Sequence, residues 1–489
     1  MEKINTVLSA GIARLRKMRL ETLFLIIFLA FGVMFIAIVP PGWNTDETNH
    51  VYRIEQLAHG DLRSEKVVAP QSGLKAYGGL EPTNLVGLFD QTGAGKPGTV
   101  GNPDYKIPTN LYKTHPDITR LKDDGRRTVI DFSGAALYSP VAYAIYIPIF
   151  WLGKLLSLSF FWTIIISRLV GLILTGLAFF LAIKYMPMGK WIFFAVGLLP
   201  TIVAQAATVG ADAPQLIASV LFITYSTRKL FEARKPELLD YGIFTILGAA
   251  LLLVKFVYAP LLILLLAAPL IKNEYRNRKN VVLIGLTTIV AIIPGLIWMH
   301  LVSYIDINSN PQANFAAQKT FVLSHPLTYI RTMYYTFFTN AQAPLSNIFG
   351  SFVWGSVSLP AIYSYLASGA IFGSLFVRGK HEVSPSTLSK QSYRVWRITL
   401  LAVSLITGIL IATALYVYST TLHQSSIVGI QSQYFIPLLP IILLVLYGNT
   451  VKNQRAVKTG VVVLSCLALI GAVLAIHFRL YEAPAPLAT

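Results

Sequence analysis

Apolar runs of membrane-spanning length recur along the whole of this 489-residue chain, and no other feature narrows its possible folds so far. They lie near residues 22–40, 160–183, 191–207, 212–228, 281–302, 351–377, 396–418, 434–448 and 457–477. A helix needs about 20 apolar residues to cross a bilayer. Backbone in lipid must also satisfy its own hydrogen bonds, so each run is read as a helix. One further run, Tyr241 to Ile271, is too long for a single crossing and is read as a hairpin of two short helices. The composition agrees: 54% apolar residues, 13% charged residues and a mean hydropathy of +0.60 exclude an ordinary soluble domain.

Orientation follows from where Lys and Arg collect, because basic loops stay on the cytoplasmic side. Arg14, Arg16, Lys17 and Arg19 precede the first run, which ends in Pro40-Pro41-Gly42 rather than in a small-residue cleavage site, so it is expected to remain as an anchor. Basic clusters recur at Lys184 and Lys190, Arg228 to Lys235, Lys272 to Lys279, Arg378 to Arg397, and Lys452 to Lys458. For all of them to be cytoplasmic, the segment Tyr138 to Leu156 must lie along the outer surface as a juxtamembrane helix. The expected fold is an all-α polytopic membrane protein of about eleven transmembrane helices with the C-terminus outside. Its regions are 1–40, the cytoplasmic N-terminus and first span; 41–158, a large first external loop; 159–302, a transmembrane core; 303–348, a second external loop; and 349–489, the C-terminal helices.

The first loop, over 41–135, holds 12 of the 22 acidic residues and 11 basic ones, and its Gly/Pro-rich middle from Gly93 to Pro108 points to irregular structure folded over the membrane. In the second loop, Tyr329 to Phe338 is aromatic and amphipathic, as an interfacial segment would be. The net charge of +18 fits attraction to anionic membrane lipids and anion handling. No basic-aromatic module for nucleic acid accompanies it. The lone Cys466 excludes an internal disulfide and is expected to pack in its helix.

Asp46, Glu47 and His50 stand where the first span leaves the membrane, in Pro40-Pro41-Gly42-Trp43-Asn44-Thr45-Asp46-Glu47-Thr48-Asn49-His50. Titratable groups held together at a bilayer surface are costly unless they do chemistry, bind a cation or recognise a substrate. If residues 46–55 are helical, Asp46, His50 and Arg53 fall within about 60° of one another. Asn44 and Glu47 resemble an N-cap and its reciprocal partner. Three ionisable residues interrupt other apolar runs: Arg168, Asp212 and Lys255. The charge-based topology sets Asp212 and Lys255 at outer turns and Arg168 about 12 Å below the outer surface. Tyr138-Ser139-Pro140 and Gly429-Ile430-Gln431-Ser432-Gln433-Tyr434 face the same side.

The ordered series Asp46-Glu47-x-x-His50-x-x-Arg53, Tyr138-Ser139-Pro140-x-x-Tyr143, Arg168, Pro200 with Asp212, Lys255-x-x-Tyr258 and Gly429-x-Gln431-x-x-Tyr434-x-x-Pro437 resembles the bacterial membrane-protein family catalogued as domain of unknown function 2142. That family in turn resembles membrane glycosyltransferases of the C-type (GT-C) fold, in which an acidic residue of the first external loop acts on a polyprenyl-phosphate sugar. The family's last motif usually reads Gly-x-Gln-Gly-Arg-Tyr, whereas Ser432 and Gln433 replace the Gly and the Arg here.

The resemblance implies an inverting glycosyltransferase of the bacterial cytoplasmic membrane. It would move sugar from a polyprenyl-phosphate donor to an extracytoplasmic glycan or lipid-linked acceptor. Asp46 or Glu47, with His50 orienting, would take the acceptor's proton. Arg53, Arg168 and Lys255 would hold the departing phosphate, with Tyr138, Asp212, Tyr258, Gln431 and Tyr434 completing the substrate site. Asp46 and His50, four residues apart, are also a candidate pair of ligands for a divalent cation such as Mg or Mn. The rival classes are a transporter or flippase for lipid-linked sugars and a non-catalytic component of polysaccharide assembly. A transporter is expected to show inverted hydropathy repeats, and none is visible in the chain.

Overall fold

In the computed structural model, which describes residues 18–69, 73, 75–96, 98–102, 104–305, 314–339, 348–353, 357–383, 389–448 and 450–481, the chain is mostly helical. Among the described residues, five helices are long and apolar enough to cross a membrane: Leu20–Ile38, Phe160–Tyr185, Arg278–Leu301, Lys390–Ser419 and Gln454–Tyr481. Leu238–Val254, Phe256–Ile271 and Ser432–Leu446 are shorter apolar helical segments. Asp212–Phe231 is a further helix of 20 residues. The run at 191–207 is broken in two, Lys190–Gly197 and Pro200–Ala206, because Pro200 has no N–H to continue the first helix and starts the second instead.

Packing explains which faces are apolar for the core and which for lipid. The helix Leu20–Ile38 buries the stripe Phe24, Phe28, Gly32, Phe35 and Ile36, while Ile26, Val33 and Met34 stay about half exposed. Gly32 lets Phe160–Tyr185 approach closely, since a Cβ there would stand 2.1 Å from Leu172 Cδ1.

Hydrogen bonds sort the helix termini into two groups. At one end Tyr481 Oη donates to the Ile38 carbonyl (3.0 Å), Ser139 Oγ to Leu253 (2.6 Å), Trp298 Nε1 to Leu137 (2.8 Å), and the Phe160 amide to Leu121 (2.9 Å). At the other end Lys190 Nζ donates to Lys184 O (3.0 Å), Lys272 Nζ to Lys229 O (3.1 Å) and Glu232 O (2.7 Å), and Tyr393 Oη to Tyr447 O (2.8 Å). The basic clusters at 184–190, 228–235, 272–279 and 378–397 therefore gather at one end of the bundle and the long first loop at the other. The Arg14 to Lys17 cluster and the C-terminal residues 482–489 lie outside the described residues.

Tyr138 to Leu156 holds a 3₁₀ turn, Pro140–Tyr143, and the nine-residue helix Ile147–Leu155. At 1.5 Å per residue that helix is roughly 14 Å long, half of what a bilayer core requires. Trp151 Nε1 ties it to Ala58 O at 3.0 Å, and Leu155 and Leu156 face outward, as expected of a helix lying on the surface. Tyr241 to Ile271 is likewise the expected hairpin, broken where Lys255 adopts an extended backbone (φ −148°, ψ 106°).

The all-α expectation needs one correction. The first loop contains an antiparallel sheet, β1 (Glu65–Val68), β2 (Lys75–Pro82) and β3 (Arg127–Asp131), in that order, with Val67 opposite Ala76 and Leu80 opposite Val129. Its central strand is covered on both faces along most of its length, so it carries no alternation of apolar and polar residues to announce it. The Gly93 to Pro108 stretch has neither helix nor strand among its described residues. In the second loop, of which 306–313 and 340–347 lie outside the described residues, the helix Phe315–Ser324 is followed by Pro326–Tyr334 and the π-helical turn Tyr335–Thr339, which leave Leu327, Ile330, Tyr334 and Phe338 exposed.

Candidate active site

The chain leaves the first span through Pro40-Pro41-Gly42, and this turn is pinned from several sides. Gly42 sits at φ +88°, where a Cβ would meet Phe89 Cδ1 and Ala94 Cβ at 2.7 Å. Trp43 Nε1 donates to Thr92 O at 2.8 Å. Asp46 adopts a left-handed backbone (φ 57°, ψ 5°), a conformation that among non-glycine residues Asp and Asn tolerate best, and the helix Glu47–His59 starts immediately after it. Asn44 is therefore not the N-cap. Its expected partner, the Glu47 carboxylate, is drawn elsewhere: it accepts from the Gly42 amide at 2.9 Å, the Val209 amide at 3.1 Å, and Arg168.

Glu47 and Arg168 are both fully buried and form a bidentate pair, Nε to Oε1 at 2.7 Å and Nη2 to Oε2 at 2.5 Å. Arg168 also donates to the carbonyls of Val39 (2.5 Å) and Pro40 (3.0 Å). One ion pair thus joins the end of the first span, the start of the acidic helix and the turn at Val209. Neither residue is among those lining the cavity in front of it.

That cavity, of about 130 Å³, is lined by Asp46, His50, Tyr138, Asp212, Lys255 and Tyr434, with Gln205, Thr208 and Gln433 among the other polar groups. Lys255 Nζ donates to Asp212 Oδ1 at 2.7 Å and lies 5.8 and 5.4 Å from the ring centroids of Tyr138 and Tyr434. Tyr258 stands behind this wall and fixes Tyr434 by donating to its carbonyl at 2.8 Å. Burial pushes the Asp46 carboxyl up to about 6, with the Asp212 charge adding to the rise and Lys255 opposing it. Burial lowers His50 to about 4, so its imidazole is neutral at pH 7. Its Nδ1 is 2.7 Å from Tyr143 Oη.

Arg53 does not share a face with Asp46. Its guanidinium bonds Gln56, the Leu62 carbonyl (2.7 Å) and the Tyr138 carbonyl (3.4 Å), because Asp46 precedes the helix in a left-handed conformation and helical-wheel arithmetic does not apply to it. Gln431 also stays off the cavity wall, where its Oε1 accepts from Gln433 Nε2 at 2.6 Å and so orients it. An amide thereby occupies the position that is an arginine in the motif this loop resembles. Of the candidate metal ligands, Asp46 and His50 both line the cavity, but the group of three ligand-type side chains among the described residues is Glu55, His59 and Asp123, outside it. Thr201, Gln205 and Thr208 were not anticipated. The available signal was the Pro200 break with polar residues just beyond it.

Residues 29–442 match the model of a family described as a predicted membrane protein, DUF2142. The chain belongs to this family. No curated protein and no solved structure matches it. The family match includes every cavity-lining residue from Asn44 to Tyr434, whereas the helix Gln454–Tyr481 lies beyond it.

Proposed function

We propose that this member of the family is an inverting glycosyltransferase that uses a polyprenyl-phosphate sugar and an extracytoplasmic glycan or lipid-linked acceptor. The observation that carries the reading is the pairing, in one cavity at the end of an apolar bundle, of a carboxyl raised to about 6 with a lysine held between two tyrosine rings. A carboxylate near that value is a competent base at neutral pH, and a desolvated ammonium is a competent phosphate partner. In the proposed step Asp46 takes the proton of the acceptor hydroxyl as its oxygen attacks the anomeric carbon. The bond from that carbon to the phosphate oxygen breaks on the opposite face, and the electron pair leaves with the polyprenyl phosphate. Lys255 exchanges Asp212 for the phosphate. The tyrosine faces border the sugar, and Gln205 and Gln433 supply amide contacts. Asp46 brings one carboxylate and His50 a ring nitrogen, a sparse donor set for Mg or Mn, which favour several oxygens, so no step is assigned to a metal.

The test is transfer of labelled sugar from polyprenyl-phosphate hexoses by the purified protein in nanodiscs. Lys255→Gln is expected to weaken binding of polyprenyl phosphate by about tenfold or more, since it removes a charge-assisted contact. Unchanged affinity in a direct binding titration would remove Lys255 from the phosphate site. The proposed orientation, with eleven crossings and the cavity facing outward from the bacterial cytoplasmic membrane, makes a separate prediction. In a Cys466→Ser background, an impermeant maleimide should label a cysteine at exposed Lys122 on intact spheroplasts and leave one at exposed Ala233 unlabelled. The reverse pattern would turn the cavity to the cytoplasm.

A further inference from the structure

At the opposite end of the bundle, the start of the helix Lys390–Ser419 and Val445 of the helix Leu439–Leu446 bound a cleft of about 350 Å³. Lys390, Arg394 and Arg397 stand along its rim and Ile398, Leu401 and Val445 form its floor. Positions 390, 394, 397 and 401 follow one another at intervals of four, three and four, so they descend a single helix face. At 1.5 Å per residue that face falls roughly 16 Å from cationic rim to apolar floor.

The rim charges have no acidic partner among the described residues. Arg397 lies 5.6 Å from the Tyr393 ring centroid, and Lys390 and Arg394 are exposed. The chain carries no Asp or Glu from 383 to 481, against seven Lys and Arg. The preceding acid, Glu382, is engaged: its carboxylate accepts from the Lys190 amide (2.8 Å), the Gly379 amide (2.9 Å) and Tyr447 Oη. With no carboxylate against the rim among the described residues, the site is open to an anion from outside the chain. An apolar floor directly beneath it selects a molecule with an anionic head and a hydrocarbon tail.

We propose that this cleft binds an anionic phospholipid, its phosphate among Lys390, Arg394 and Arg397 and its acyl chains over Ile398, Leu401 and Val445. Guanidinium groups suit phosphate oxygens, and basic pockets between membrane helices suit lipid headgroups. The assignment is independent of the glycosyltransferase reading. It is tested with the full chain in detergent by native mass spectrometry and thermal melting, with dioleoylphosphatidylglycerol, dioleoylphosphatidylcholine and soluble glycerol phosphate as probes. Arg394→Gln/Arg397→Gln should bind phosphatidylglycerol about tenfold more weakly than the wild type. Lys452→Gln/Arg455→Gln, with the same loss of charge at exposed positions, should bind it normally. The single exposed variant Arg394→Gln, which leaves the Arg397 stack on Tyr393 in place, should show a smaller loss in the same direction. Equal weakening in both double variants would reduce the effect to diffuse charge attraction and overturn the site. Full retention by Arg394→Gln/Arg397→Gln, or displacement of the lipid by glycerol phosphate, would overturn it as well.

Discussion

Asp46→Asn is expected to remove at least 10²-fold of sugar transfer, the loss typical of a general base, while the protein folds and inserts normally. Asparagine keeps the size of the side chain and tolerates the left-handed backbone at φ 57° as aspartate does, but it cannot accept the proton. The neutral amide also removes the desolvation cost that raises the carboxyl to about 6, so melting temperature should hold or rise. The pH profile separates chemistry from packing. Transfer needs the ionised carboxylate, so the wild-type rate should fall as pH drops through about 6, and residual transfer by Asp46→Asn should lack that limb. His50, lowered to about 4, stays neutral throughout and adds no limb of its own there. Radiolabel incorporation from pH 5 to 8 would decide, and an acid limb persisting in Asp46→Asn would assign the base to another residue.

The adjacent residue should behave in the opposite way. Arg168→Met leaves Glu47 as a buried charge without its counterion, a defect that typically costs about 3–5 kcal/mol. Glu47→Gln should cost less, because Arg168 keeps the carbonyls of Val39 and Pro40. The double variant should lose distinctly less than the sum of the two, since each single change strands the other partner. Denaturant titration in detergent measures all three. Strictly additive losses would show that the pair is not coupled and would return Glu47 and Arg168 to the list of groups free to act on substrate.

Much of the bundle was legible because lipid imposes rules that a single sequence displays: run length, backbone self-sufficiency and the side on which basic residues collect. Those rules account for the break at Lys255 within Tyr241 to Ile271 and for the short helix within 138–156, and they set Asp212 and Lys255 on the side of Asp46, with which they line one cavity. Roles within the acidic motif were not legible in the same way. Asp46 and Glu47 are neighbours of like chemistry, and only the left-handed turn sends one into the cavity and the other back to Arg168. Arg53 was misplaced by the same turn. The sheet escaped notice because Lys75–Pro82 is buried on both faces and breaks the alternation that betrays a strand. Gln205 was hidden inside the run 191–207, read as one continuous helix, and Thr208 stands just beyond its end.

The tie between the first loop and the last helix has a consequence for the order of events during synthesis. Ile107 N donates to Leu480 O at 2.7 Å, Lys106 Nζ to Arg479 O at 2.5 Å, and Tyr481 Oη to Ile38 O at 3.0 Å. Each bond joins residues more than 370 positions apart. The first span and the loop after it emerge early from the ribosome, yet these three bonds form only with the final residues of the described chain. Arg168, Val209, Leu253 and Trp298 can fasten other parts of this loop earlier, and its Tyr105 to Ile107 edge waits for the last helix. The cavity wall is complete with Gln433 and Tyr434, so a nascent chain interrupted before residue 454 would hold every lining residue yet lack the outer tie to Ile38 and Ile107.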